Sequence, residues 1–480
     1  MNYKTVCHIT GQLIKLEAAL LLLPLIVSAI YSEKAWLSFL ITMTVGFAVG
    51  LVLSLIGRGS DHLIYAKEGF AVVALAWVLM SAIGALPFFI SGEIKSYADA
   101  FFETVSGFTT TGASILTDIE SMSRGLLFWR SFTHWIGGMG VLVLMMAILP
   151  TPNGRSIHIM RAEVPGPVVG KLVPRIRDTA KILYLLYIAL TVFEIIMLLA
   201  GGMPVFDSIV HTFGTAGTGG FGIKSDSIAG YSHYLQWVIT VFMLLFGINF
   251  NLYYLILLGK FRTAFKNAEL WTYFIIVLVS VAAITINITS LYSSFEEAFR
   301  LSSFQVASII TTTGYSTADF NLWPGLSKAW LVGLMLIGGC AGSTAGGLKV
   351  SRIIIIFKMV RANLRKMIHP RSVSSIRIDG KKADEETLRG LSAYFMLYCI
   401  ILVLTFIALS FEPFDFETNM TAAISCLNNV GPGLGLVGPA GSYADYSAVS
   451  KLILSAVMLI GRLEIYPIML ALIPSTWSRK

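Results

Sequence analysis

Four short polar runs carry the residues of this chain best suited to holding an ion. They read SGFTTTGA, GTAGTGGF, SIITTTGY and SCLNNVGP, ending at Ala113, Phe221, Tyr315 and Pro432. Aligned on Gly112, Gly220, Gly314 and Gly431, each has a small residue six positions earlier: Ser106, Gly214, Ser308 and Ser425. Two positions before the glycine stand Thr110, Thr218, Thr312 and Asn429, and one before it Thr111, Gly219, Thr313 and Val430. The coordinating groups here are backbone carbonyls, with threonine hydroxyls as a second source. Carbonyls converging from several loops can replace the hydration shell of a cation. Aligning successive carbonyls on one axis calls for φ > 0, which glycine adopts without steric cost. No Asp or Glu occupies the aligned positions. Acidic rings suit divalent cations, so the chemistry read here is that of a monovalent one.

The surrounding elements repeat with the loops. Each run follows a long apolar span (67–91, 180–201, 270–290 and 388–410), then a short helix-compatible segment such as YADAFFETVSG (97–107) or VFDSIVHTFG (205–214). A second apolar span follows, with a glycine well inside it at Gly137, Gly247, Gly338 and Gly461. Spans 12–31 and 35–57 precede the repeats, and the first is read as a retained span rather than a signal peptide. Only 13% of the 480 residues are charged and 56% are hydrophobic, against roughly 25% charged in soluble domains. The expected fold is an all-α polytopic membrane protein: four span–pore helix–loop–span repeats around a pseudo-fourfold pore, plus a two-span N-terminal unit. The divisions are 1–60 (N-terminal unit), 61–152, 179–260, 261–360 and 388–480 (the repeats), with basic loops 153–178 and 361–387 between.

Non-helical backbone at membrane depth must be buried in protein or face water, since each unpaired peptide group costs several kcal/mol. Four loops converging on one axis meet that need, with the C-terminal ends of the short helices adding about half a negative charge each. One such loop alone reads equally well as a re-entrant hairpin buried for packing.

The net charge of +8 collects in three segments, 153–178, 259–269 and 358–382, while the alternate loops TDIESMS (117–123) and FEPFD (411–415) lean acidic. This is the positive-inside pattern, and it argues against nucleic-acid binding. Loops that dip in from outside and return there give the same orientation, with the N-terminus cytoplasmic. The basic loops suit either a docking partner or anionic lipid.

The third unit's second span, about 329–360, would reach roughly 48 Å as a continuous helix, beyond a ~30 Å hydrocarbon core. Within it lies GGCAGSTAGG (338–347), with Gly338, Gly339, Gly342, Gly346 and Gly347. Five glycines each costing about 1 kcal/mol relative to alanine favour a break, although a small-residue packing face has a similar composition. Arg462 lies at the matching depth of the fourth unit. It either pairs with Glu464 or stands beside the pore as an electrostatic barrier. Lys349 could act likewise or snorkel to the cytoplasmic interface. Arg130 and His134 read as interhelical hydrogen-bond partners.

With WRSFTHWIGGMG (129–140), NNVGPGLG (428–435) and GGCAGSTAGGLK (338–349), the chain resembles the Trk/Ktr/HKT superfamily of potassium transporters. The two extra N-terminal spans make it most similar to the bacterial TrkH/TrkG branch. The resemblance implies K⁺ as the transported ion and a homodimer with one pore per subunit in the bacterial cytoplasmic membrane. It further implies a cytosolic nucleotide-binding regulatory subunit of TrkA type. It assigns the filter to Thr110, Thr111, Gly112, Thr218, Gly219, Gly220, Thr312, Thr313, Gly314, Asn429, Val430 and Gly431. The gate it assigns to the 338–347 glycines, with Lys349 and Arg462 beside it. Gly219 departs from the threonine of units one and three, and Thr317 stands where a potassium-channel loop has a second glycine. Fewer well-formed ion sites are therefore expected. Channel-like permeation is the preferred reading; the alternative is symport with H⁺ or Na⁺, which would favour inverted repeats and midplane carboxylates. GLGLVG (433–438) matches a dinucleotide fingerprint without the required strand and helix. No catalytic constellation is present, and Cys7, Cys340, Cys399 and Cys426 stand singly.

Overall fold

A computed structural model describes residues 1–59, 66–140, 176–370, 376–378, 381–382 and 385–477. Nearly all of the basic loop 153–178, and part of 361–387, lie outside these residues. The described chain is helical apart from a two-residue antiparallel pairing of Arg377–Ile378 with Lys381–Lys382.

The N-terminal unit is Tyr3–Leu20, Leu22–Ile30 and Trp36–Ile56. Trp36–Ile56 buries Ser38, Phe39, Thr42, Gly46 and Gly50, while Leu37, Leu51, Val52 and Leu55 face outward. That pattern suits hydrocarbon: large apolar side chains face lipid, and small residues let helices touch. A Cβ on Gly50 would lie 2.8 Å from the Gly11 carbonyl oxygen, so the two spans meet backbone to backbone.

Four units follow. Their first spans are Ala66–Gly84 with Leu86–Ile90, Ile176–Ala200, Ala268–Ile288 and Glu385–Leu409. Four short helices come next: Tyr97–Phe108, Val205–Gly217, Phe295–Ile310 and Phe416–Asn428. Each carries an acidic residue in its first turn (Asp99, Asp207, Glu296, Glu417), where the helix dipole favours it. Ser96 and Ser294 add side-chain caps, accepting from the Asp99 and Glu297 amides. The short helices form the interior. Phe295–Ile310 is buried at almost every position from Ala298 to its end.

The second spans are Arg124–Gly138, His233–Phe246, Gly325–Ile337 and Ala448–Arg462. In the third unit the helix stops at Ile337 and resumes at Val350. Two further breaks were not expected from sequence. His233–Phe246 turns by 89° into Phe250–Leu257, and Ala448–Arg462 gives way to Tyr466–Leu472 through Glu464 and Ile465, both at positive φ. Their signals were local and easily overlooked. Asn249 caps Phe250–Leu257 by accepting from the Asn251 amide, and Pro467 opens Tyr466–Leu472, where a missing N–H is harmless.

Candidate functional site

All four short helices end in the same way. The amides of Thr110, Thr218, Thr312 and Asn429 donate to Gly107, Thr215, Ile309 and Cys426, at 3.1, 3.0, 3.1 and 3.4 Å. The next amides, of Thr111, Gly219, Thr313 and Val430, reach back to Ser106, Gly214, Ser308 and Ser425 at 2.9, 2.8, 2.8 and 3.0 Å. This pair of bonds is a Schellman cap, with Thr110, Thr218, Thr312 and Asn429 at its left-handed position, φ between 52° and 56°. Asparagine tolerates that conformation; β-branched threonine is an outlier there, and the strain costs on the order of 1–3 kcal/mol per site. The small residue six positions before each glycine is thus the carbonyl that closes the cap.

Capping occupies the amides and leaves the carbonyls. Gly112, Gly220, Gly314 and Gly431 have φ of 80°, 75°, 84° and 100°. A Cβ on Gly112 would stand 2.0 Å from the Gly219 carbonyl oxygen, and one on Gly220 1.9 Å from that of Thr313. A Cβ on Gly314 would stand 2.4 Å from the Val430 oxygen, and one on Gly431 2.6 Å from that of Thr111. Loop one therefore abuts loop two, two abuts three, three abuts four and four abuts one: the ring closes. Those four oxygens accept no hydrogen bond from the described residues. A cavity of about 130 Å³ sits against the ring, lined by Gly112, Gly220, Gly314 and Gly431 together.

The ring is braced from outside. Thr111 and Thr313 hydroxyls bond those of Thr109 and Thr311 at 2.7 and 2.8 Å. Asn429 Nδ2 donates to Thr111 Oγ1 at 3.0 Å and to the Met458 carbonyl at 2.9 Å. Glu103, fully buried in the first short helix, pairs with Arg130 at 2.6 Å and accepts from Ser114 Oγ and the Ile115 amide. Arg130 also lies over the Phe221 ring and donates to the Gly222 carbonyl at 3.0 Å. His134 bonds the Gly107 carbonyl at 2.7 Å. Sequence reasoning missed Glu103, as it missed Glu17 and Glu194, also fully buried. Each of the three stands in an apolar-rich stretch (LIKLEAAL, AFFETV and TVFEII), a signal available in the sequence.

Residues 338–349 lie against the ends of the third and fourth short helices. The Gly346 amide donates to Thr312 Oγ1 at 2.6 Å, and the Gly347 amide to the Asn428 carbonyl at 3.0 Å. Arg462 donates to the Thr344 carbonyl at 2.8 Å and to the Gly137 and Gly138 carbonyls at 2.5 and 2.8 Å. Arg462 thus ties the glycine-rich loop to the first unit's second span. Glu464, its expected partner on one reading, instead pairs with Arg352, whose guanidinium lies over the Tyr394 ring. Lys349 does not snorkel: it is 2% exposed and its ammonium bonds the Ala345 carbonyl. Gly433–Gly438 forms the outer flank of the fourth loop, with a single 3₁₀ turn, Gly435–Val437, and no strand.

Four span, short-helix, loop and span units whose capped loops close into one ring define a polytopic helical membrane protein built from internal repeats. Residues 37–479 match the TrkH family model, described as cation transport protein, and the chain belongs to that family, which is one of transporters rather than enzymes. It is 35% identical to the Trk system potassium uptake protein TrkH of Salmonella typhimurium, over 99% of this chain and all of that one. With the Trk system potassium uptake protein TrkG of Escherichia coli K12 it shares 33%, over 98% of this chain and 97% of that one. The crystal structure of the potassium transporter TrkH from Vibrio parahaemolyticus superposes over the whole of both chains, with a TM-score of 0.90 at 32% identity.

Proposed function

We propose that this protein is a potassium uptake pore in which the ring is the selectivity filter. The observation that carries the reading is the closed circuit of Thr111, Gly219, Thr313 and Val430 carbonyls, each packed against the preceding loop's glycine and none with a donor among the described residues. Buried carbonyls left unpaired are costly, and a dehydrated K⁺ would satisfy four of them at once. The remaining filter assignments are the backbone of Thr110, Thr218, Thr312 and Asn429 below the ring and of Gly112, Gly220, Gly314 and Gly431 above it. The names of the relatives point to the same ion.

Residues 338–349 act as an intramembrane gate beneath the filter, with Gly338, Gly339, Gly342, Gly346 and Gly347 as its pliable points. The charges of Lys349 and Arg462 are a barrier to cations. Two copies of the chain, each with its own pore, lie in the bacterial cytoplasmic membrane with the N-terminus inside. The basic cytoplasmic loops receive a nucleotide-binding regulatory ring of TrkA type or anionic lipid. The divisions at 60, 152, 178, 260, 360 and 387 follow the repeat boundaries.

The test is the reversal potential of the purified protein in liposomes under K⁺, Na⁺ and pH gradients. A potential that follows the K⁺ gradient alone supports the pore. One that follows protons or sodium supports symport and defeats the preferred reading.

A further inference from the structure

The glycine-rich loop is held from two sides, and the two holds differ in kind. Toward the pore axis it is held at Thr344, Gly346 and Gly347, by Arg462, Thr312 and Asn428. On the opposite side both ends of the loop meet a single carboxylate. Glu269 Oε1 accepts from the Ala341 amide at 2.7 Å and from the Ser351 amide at 3.0 Å, and Glu269 is 8% exposed. Ala341 lies near the start of the loop, and Ser351 is the second residue of Val350–Ile368. The 89° bend of the second unit grips the same end: the Cys340 amide donates to the Gly247 carbonyl and the Phe250 amide to the Gly342 carbonyl, both at 3.0 Å.

We propose that Glu269 is the positioning residue of this loop, clamping its two ends into a fixed hinge base from which only the arc near 343–347 swings. The inference rests on the reading of the loop as the gate. The chemistry suits the role. An ionised carboxylate makes charge-assisted bonds to backbone amides, and the N-terminal end of Val350–Ile368 favours negative charge. Glu269 itself is fixed in the first turn of Ala268–Ile288, where Asn267 caps the helix by accepting from the Leu270 amide at 2.9 Å. The basic segment 259–267 runs directly into that turn, so a pull on the segment is delivered to both ends of the loop.

Cys340 adjoins the clamp and is fully buried, and it serves as the reporter. The full-length protein in liposomes is treated with N-ethylmaleimide, and modification of Cys340 is followed by peptide mass spectrometry alongside K⁺ flux. Glu269→Ala and Glu269→Asp, which remove or shorten the acceptor, are expected to speed Cys340 modification about ten-fold, as loss of a charge-assisted bond implies for local opening. Glu269→Gln keeps an oxygen within reach but not the charge, and is expected to fall between wild type and Glu269→Ala. If Glu269→Ala does not give monodisperse protein, Glu269→Asp decides by the same criterion. Unchanged Cys340 modification in these variants overturns the clamp, whatever the flux. Faster modification with unchanged flux upholds the clamp and overturns the gate reading.

Discussion

Arg130 Nε stands 2.6 Å from Glu103 Oε1, and both side chains are almost wholly excluded from solvent. The pair links two loops that are distant in sequence. Glu103 holds Ser114 and Ile115 beyond the first glycine, and Arg130 holds Gly222 beyond the second. Removing one partner of a buried pair typically costs about 3–5 kcal/mol because a charge is left uncompensated. Arg130→Ala is therefore expected to lower the thermal stability of the purified protein and to broaden its selectivity toward Na⁺. Arg130→Lys should restore part of the stability and less of the selectivity, since lysine lacks the planar fork that reaches both Glu103 and Gly222. Unfolding in detergent and bi-ionic potentials measure the two effects separately.

Gly314 gives the most direct test of the ring. Its φ is 84°, and a Cβ there would lie 2.4 Å from the Val430 carbonyl oxygen and 2.9 Å from Pro432. Gly314→Ser must therefore displace backbone that forms the next quarter of the circuit. About 1.4 kcal/mol of lost discrimination corresponds to a ten-fold fall in the K⁺ over Na⁺ ratio. That is the expected outcome in K⁺/Na⁺ gradients, and unchanged selectivity would remove this loop from the filter.

The repeat was legible because its signal is periodic and chemical: a glycine, a small residue six positions back, and an apolar span on either side. The physical role of Ser106, Gly214, Ser308 and Ser425 was not legible. In the folded chain they close Schellman caps, with threonine forced into a left-handed conformation that propensity alone argues against. Composition exposed the third unit's break through its glycine density. The breaks at 247–249 and 463–465 depend on single capping residues, Asn249 and Pro467, and a window-averaged reading smooths such signals away. Arg462 was legible as a costly charge at depth. Its partners were not, because backbone carbonyls leave no trace in a sequence.

Gly137 and Gly461 do a different job from Gly112, Gly220, Gly314 and Gly431. A Cβ on Gly137 would sit 1.9 Å from the Phe108 carbonyl oxygen, and one on Gly461 2.0 Å from that of Leu427. Phe108 and Leu427 occupy equivalent places at the ends of the first and fourth short helices. Gly461→Ala is expected to wedge the fourth second span away from its short helix, destabilising the protein by about 1–3 kcal/mol as overpacking does. Gly333→Ala is the control, since a Cβ there meets nothing within 4 Å. Equal melting temperatures for the two variants would count against the close approach.

Arg462 is 7% exposed, and its hydrogen-bond partners include three carbonyls: Thr344 on the glycine-rich loop, and Gly137 and Gly138 on the first unit. Hydrogen bonds to a charged group contribute about 1.5–3 kcal/mol each, so this one side chain can hold the loop in place. Arg462→Ala removes both the latch and the positive charge of the proposed barrier. Both changes act in the same direction, and K⁺ flux in liposomes is expected to rise by about ten-fold or more. Arg462→Lys separates the two effects: it keeps the charge but cannot span three carbonyls, so its flux should fall between wild type and Arg462→Ala. If the lysine variant matches wild type, charge alone sets the barrier; if it matches alanine, the latch does. An alanine variant that folds and conducts as wild type would mean that the loop does not limit flux.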